Sequence, residues 1–130
     1  MRAGGCVCGA VRYEVAAEPY GAAVCHCRTC QRVHGAPMVA FFSARKADVR
    51  LTGELGEIRT SDHGIRRFCR ACGTHIVFDD SRYPDEIDIA TTTLDDPAPV
   101  APRFHIWTRS QLPWVKLGDD LQTFPERSGQ

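Results

Sequence analysis

Seven cysteines dominate the chemistry open to this 130-residue sequence, and their spacing divides them into two sets. Cys6-Val7-Cys8-Gly9 and Cys69-Arg70-Ala71-Cys72-Gly73 are paired-ligand knuckles, each ending in a glycine that lets the backbone turn tightly around a metal. Together they make a four-thiol set suited to Zn²⁺, whose tetrahedral coordination by thiolates at about 2.3 Å leaves no vacant position. Such a site staples distant chain segments and does no chemistry. Cys25-His26-Cys27-Arg28-Thr29-Cys30 is different, with three thiols on one continuous loop. Three ligands leave a position open to water or an exogenous thiol, which separates a catalytic zinc from a structural one.

His26 lies between two of these cysteines, so in an extended segment its side chain points away from theirs and it is not expected to be a ligand. Cys30 and His34 have a ligand spacing that would close the second site as Cys₃His. A resting disulfide is a third reading, although Cys25 and Cys27, one residue apart, could not bridge without strain. Spacing leaves the open and closed forms as alternatives. Chemistry at an open site needs a proton donor, for which water or a nearby histidine suffices; His26, His34 and His75 are the candidate histidines, with none assigned. Arg28 and Arg32, four residues apart, would share one face of a helical turn beside the metal, either as a clamp for the carboxylates of a thiol ligand or as an ordinary solvated basic face. Arg66-Arg67 reads as a solvated pair, and Tyr13, Phe41, Phe42, Trp107 and Trp114 either line a pocket or, as is commoner for aromatics at strand positions, pack in the core, so none is taken as a site residue.

The elements that must position these groups are short. Val11–Val15 alternates apolar and polar residues, the period of a half-buried strand. The rhythm recurs at Pro37–Phe42, Val49–Leu51, Glu57–Arg59, His75–Phe78, Ile87–Ala90 and Phe104–Trp107, between clusters of Gly, Pro, Asp and Ser. One helical turn follows Thr29, from Cys30 to His34, and stops at Gly35. The pattern predicts an all-β single domain over residues 1–125, with a frayed polar tail at 126–130.

The composition narrows the function. The sequence is 43% hydrophobic and 25% charged, with no apolar window of the roughly 18 residues that crossing a bilayer needs. No membrane association is expected. The segment before Cys6 lacks the apolar stretch of a secretory signal, so a cytoplasmic location is expected, where a reducing environment favours metal binding over disulfides. Sixteen basic residues balance sixteen acidic ones, which argues against nucleic acid as a partner. Nothing in the sequence fixes the oligomeric state.

Three motifs in register resemble one family. Gly4-Gly5-Cys6-Val7-Cys8-Gly9-Ala10-Val11-Arg12-Tyr13-Glu14, Cys25-His26-Cys27-Arg28-Thr29-Cys30-Gln31-Arg32 with Gly35-Ala36, and Arg67-Phe68-Cys69-Arg70-Ala71-Cys72-Gly73-Thr74 are similar to the glutathione-dependent formaldehyde-activating enzymes, a group that includes centromere protein V-like relatives. Ile106-Trp107 and Pro113-Trp114 resemble that family's C-terminal strand pair. The resemblance implies a β-tent type fold of antiparallel sheets. It also implies two zinc ions per chain: a structural one on Cys6, Cys8, Cys69 and Cys72, and a labile catalytic one on Cys25, Cys27 and Cys30. The implied activity is that of a carbon–sulfur lyase on S-hydroxymethylglutathione, the adduct of glutathione and formaldehyde. The chain departs from the family pattern at His75, where a less basic side chain is expected, and at Gln111, where a lysine is expected. Two other functions compete: a non-catalytic zinc module that binds a protein or nucleic acid, and a redox sensor working through its thiolates.

Overall fold

A computed structural model describes residues 1–127. Along the chain run β1 (Arg2–Gly5), β2 (Arg12–Val15), β3 (Tyr20–Cys25), α1 (Arg28–His34), β4 (Val39–Arg45), β5 (Val49–Thr52), β6 (Leu55–Arg59), β7 (Gly64–Cys69), β8 (His75–Asp80), β9 (Glu86–Ala90), β10 (Phe104–Ile106) and β11 (Gln122–Thr123). The mainly β expectation holds, and each expected strand overlaps an observed one. Four strands escape the alternation rule. In β1, Arg2-Ala3-Gly4-Gly5 has little strand propensity, yet a side chain is excluded at Gly4, where a Cβ would fall 2.4 Å from both Thr93 O and Tyr13 Oη. Strand β3 is rich in small residues, β7 carries two consecutive arginines, and β11 has only two residues.

Strands β1, β2 and β5 form a small antiparallel sheet, and the other eight form a large one in the order β11-β10-β3-β4-β9-β8-β7-β6. The expectation of purely antiparallel sheets needs correction, because β10 pairs parallel with both β3 and β11. The chain reaches β10 through a long crossover from β9, and such a connection lets it run in the direction of β3.

Strand β4 separates the two faces of the large sheet. Phe42 and Ala44 are buried in the main core, whereas Phe41 and Ser43, on the alternate face, are only partly covered. In that core Val11, Tyr13 and Val15 meet Phe42, Val77 and Ile89 across the two sheets. Each large apolar side chain fully buried there contributes about 1.5–3 kcal/mol. Tyr13 and Phe42 are thus the core aromatics expected, but Phe41 and Trp107 pack in a second cluster around Cys25 and Cys30, and Trp114 is 68% exposed.

The helical turn begins two residues earlier than expected. Cys27 is the N-cap, its Sγ accepting from Cys30 N at 3.3 Å, and Gly35 closes the helix with φ of 60°. Residues 126 and 127 of the tail expected to fray are tied down. Glu126 O accepts from Trp107 N at 2.9 Å, and Arg127 Nη1 donates to Tyr83 Oη at 2.8 Å. Residues 128–130 lie outside the described residues. No described helix is long and apolar enough to cross a membrane.

Candidate active site

All seven cysteines are free thiols, and they gather as their spacing suggests. The ligand atoms of Cys6, Cys8, Cys69 and Cys72 lie within 4.8 Å of one another. Their two knuckles are built alike. Gly9 N donates to Cys6 O and Gly73 N to Cys69 O, and the two glycines turn with φ of 83° and 82°, a region closed to most other residues. The sulfurs of Cys6 and Cys8 are 3.5 Å apart and those of Cys8 and Cys69 3.8 Å. Tetrahedral zinc with thiolates at about 2.3 Å requires sulfurs about 3.8 Å apart, so the donor set fits that ion. Two thiols are already inclined to ionise: Val11 N donates to Cys6 Sγ and holds it below the usual thiol range, and the Thr74 hydroxyl holds Cys72 down to about 5.

The second cluster stands where β3 turns into α1. Cys25 ends the strand, Cys27 caps the helix and Cys30 lies in its first turn, their sulfurs again within 4.8 Å of one another. No fourth His, Cys, Asp or Glu among the described residues joins that group. His34, the residue that would have closed it, packs its ring against Phe41 and His75, and burial lowers its pKa to about 4. Protons leave this crowd unevenly. Hydrogen bonds from Cys25 and Cys30 pull Cys27 far down, whereas sharing with Cys27 and Cys30, together with burial, pushes Cys25 up.

His26 is fully buried and turned away from the thiols, as its place between two cysteines predicts. Its Nε2 meets His105 Nδ1 at 2.9 Å, and His105 Nε2 meets Asp119 Oδ2 at 2.8 Å. The carboxylate must accept, so a neutral His105 donates from Nε2 and accepts from His26 Nε2–H, which leaves His26 Nδ1 a lone pair with no partner. Gln31 ties the same corner, donating to His26 O at 2.8 Å and to Ser110 O at 3.1 Å.

The three-thiol corner opens into a cleft of about 830 Å³ along the exposed face of the large sheet. A row of paired residues crosses its floor: Arg66 on β7, Phe78 on β8, Asp88 on β9, Ser43 on β4 and Tyr20 on β3. Ser43 lies four residues along β4 from Val39, the partner of Cys25, so at Ser43 the floor of the cleft is about 13 Å along the strand from the Cys25 end, while the Arg66 side chain reaches back to the thiols. Its floor carries both signs of charge. Asp80 is paired with Arg82 at 2.8 Å, and burial pushes Asp88 up to about 6 although the Ser43 hydroxyl donates to it at 2.7 Å.

Among the residues expected near the metal, Cys25, Cys27, Cys30 and Arg28 line the cleft, and His26, His34, His75 and Arg32 do not. Arg32 lies off the cleft because the cleft meets only the N-terminal turn of α1, and Arg32 stands one turn further on. Sequence reasoning missed Arg66, Phe41 and Trp107. Arg66 is not solvated: it is 4% exposed, both Nη atoms lie 3.5 Å from Cys30 Sγ, and its guanidinium sits 4.6 Å over the Phe78 ring. A signal existed, because consecutive arginines in a strand point to opposite faces, so Arg66 and Arg67 could not share one solvated surface: Arg66 falls on the cleft face with Phe78 and Arg67 on the face of Val77.

The sequence profile of the family described as glutathione-dependent formaldehyde-activating enzyme matches residues 1–110. The chain belongs to that family. An uncharacterized lyase of Schizosaccharomyces pombe is 32% identical over 75 residues, which are 58% of this chain and 55% of the relative, so the match spans about half of that protein's length. A Halomonas elongata protein, provisionally named a glutathione-dependent formaldehyde-activating enzyme, is 28% identical over 126 residues, covering 88% of this chain and 79% of its own. The crystal structure of a Rhodobacter sphaeroides protein superposes with a TM-score of 0.60 at 24% identity, over 94% of this chain and 98% of that one, and supports the fold. The matched residues include all seven cysteines and most of the residues that line the cleft.

Proposed function

We propose that this protein is a zinc-dependent carbon–sulfur lyase that joins and separates glutathione and formaldehyde at the three-thiol corner. One observation carries the reading: that corner opens on a cleft whose roughly 830 Å³ suits a tripeptide-sized ligand. No member of the four-thiol cluster lines that cleft, and on this reading it is the structural site. The same reading takes the two facing sheets as a β-tent closed at one end by that first metal.

Zn²⁺ held by Cys25, Cys27 and Cys30 would lower the pKa of an incoming thiol and so supply thiolate at neutral pH. The glutathione sulfur then attacks the formaldehyde carbon, the C=O π pair moves to oxygen, and the proton lost by the thiol returns to that oxygen. Atoms balance without a further reactant. Phe41 and Trp107 exclude water beside the thiols, and Arg28 stands at the mouth, braced by Gln31 Oε1 at 2.6 Å. Asp88 and Glu86 offer carboxylates to an ammonium at the far end, so a zwitterionic ligand meets both signs of charge. Neither His26 nor His34 lines the cleft, which leaves solvent to relay the proton.

Because glutathione and formaldehyde also combine unaided, the decisive test is the exchange rate at equilibrium. Magnetisation transfer between free and adduct-bound ¹³C-formaldehyde should accelerate when metal-loaded protein is added, and the acceleration should vanish in Cys27→Ser. Unaccelerated exchange by protein carrying two zinc ions would instead favour the non-catalytic binding module.

A further inference from the structure

Arg66 is the only arginine fully buried among the described residues. A buried guanidinium without a counter-charge is strongly disfavoured, and no carboxylate lies within ion-pair distance of it among the described residues. The nearest acidic side chains of the cleft are engaged elsewhere, Asp80 by Arg82 and Asp88 by Ser43. Its partners are Cys30 Sγ, reached twice at 3.5 Å, Thr60 Oγ1 at 3.4 Å and the face of Phe78. Of these direct partners only the thiol can carry a balancing charge, with the Asp88 carboxylate acting on Arg66 from farther along the floor.

We infer that Arg66 is the built-in counter-ion of the three-thiol corner, and that its charge is what lets this corner accept a further thiolate from a substrate. The inference rests on the lyase reading. Three thiolates and a divalent ion leave a net negative charge, which repels an incoming thiolate, and one guanidinium cancels it. Donation to Cys30 Sγ also draws electron density from that sulfur, as outer-shell donors do at ligand atoms. The four-thiol cluster has no such cation, since no arginine or lysine hydrogen-bonds to its sulfurs among the described residues. Arg66 is therefore a positioning residue that selects an anionic ligand for one site and not the other.

The idea predicts effects of opposite sign. In cobalt-loaded protein, 2-mercaptoethanol, a thiol without carboxylates, should add thiolate-to-cobalt absorption, and its half-saturating concentration measures uptake. Arg66→Gln keeps a donor but loses the charge, so its uptake should weaken about tenfold or more, while competition with a chelator shows the metal held at least as tightly. Arg66→Lys keeps the charge and should stay within about threefold of wild type. Uptake and metal affinity falling together in Arg66→Gln would mark a merely structural role and overturn the inference, as would unchanged uptake. Should Arg66→Gln not fold, Arg66→Lys decides: a larger loss of uptake overturns it. A wild-type protein that takes up no thiol would refute the open site itself, and the inference with it.

Discussion

On the proposed reading, the two thiol clusters put the same donor chemistry to opposite ends. Cys6, Cys8, Cys69 and Cys72 come from two hydrogen-bonded knuckles far apart in the chain, and Cys69 sits in the main core beside Val11 and Tyr13. Cys25, Cys27 and Cys30 come from one strand-to-helix corner, pack in a separate cluster with Trp107 and Phe41, and face a cleft. A metal bridging distant segments links folding to binding, whereas one held within a single turn closes almost no loop and is free to serve a ligand. Which backbone supplies the donors, more than their identity, decides what each site is for.

The sharpest way to break this contrast is to remove one donor from each cluster. Cys69→Ser should abolish cooperative melting or lower Tm by more than about 15 °C. An apparent zinc-binding free energy of about 10–16 kcal/mol rivals the whole stability of a domain, about 5–15 kcal/mol. Cys27→Ser should lose the second metal and the catalysed exchange yet melt within about 5 °C of wild type, since a serine hydroxyl can still cap α1 by accepting from Cys30 N. Metal content and calorimetry on both variants check this, and equal losses of Tm would erase the distinction.

That contrast was largely legible in the sequence. The knuckles and the three-thiol loop are local patterns, and every cysteine falls in its expected cluster. What escaped depends on distant segments meeting. Nothing near Cys30 announces Arg66, which arrives from β7 and is aimed into the cleft by strand alternation. His105 and Asp119 reach His26 from the C-terminal segment, and the parallel pairing of β10 follows from a crossover that no local period encodes. Strand β1 was unreadable for another reason: Gly4 is required by the close approach of Thr93 and Tyr13 and Gly5 by that of Val11 and Arg12, and the two glycines remove the side chains on which alternation is read.

A smaller effect asks whether the cleft burdens the fold as a binding surface does. Burial raises Asp88 to about 6 from an ordinary 3.8, so the native state disfavours its ionised form. The sign follows: this contribution is fully present below about pH 4, where Asp88 is protonated in both states, and is lost as pH rises through about 6. Asp88→Asn can still accept from Ser43 and carries no charge. Its Tm should match wild type near pH 4 and exceed it by several degrees near pH 7.5, a gain of up to about 3 kcal/mol. Parallel Tm curves across that range would place Asp88 outside this balance.

The smallest expected effect tests where the second site ends. Arg28 and Arg32 lie on one short helix and are both exposed, but only Arg28 borders the cleft. If the cleft is the substrate channel, Arg28→Met should raise the half-saturating concentration of glutathione about three- to tenfold, the scale of one solvent-exposed charged contact. Arg32→Met should leave it unchanged. Neither should alter uptake of 2-mercaptoethanol, which has no carboxylate to hold, so the comparison isolates the clamp from the thiol site. Equal responses to the two substitutions would mean that glutathione reaches the thiols over the outer face of α1, and the boundary between the exchanging site and the protein surface would have to move by one helical turn.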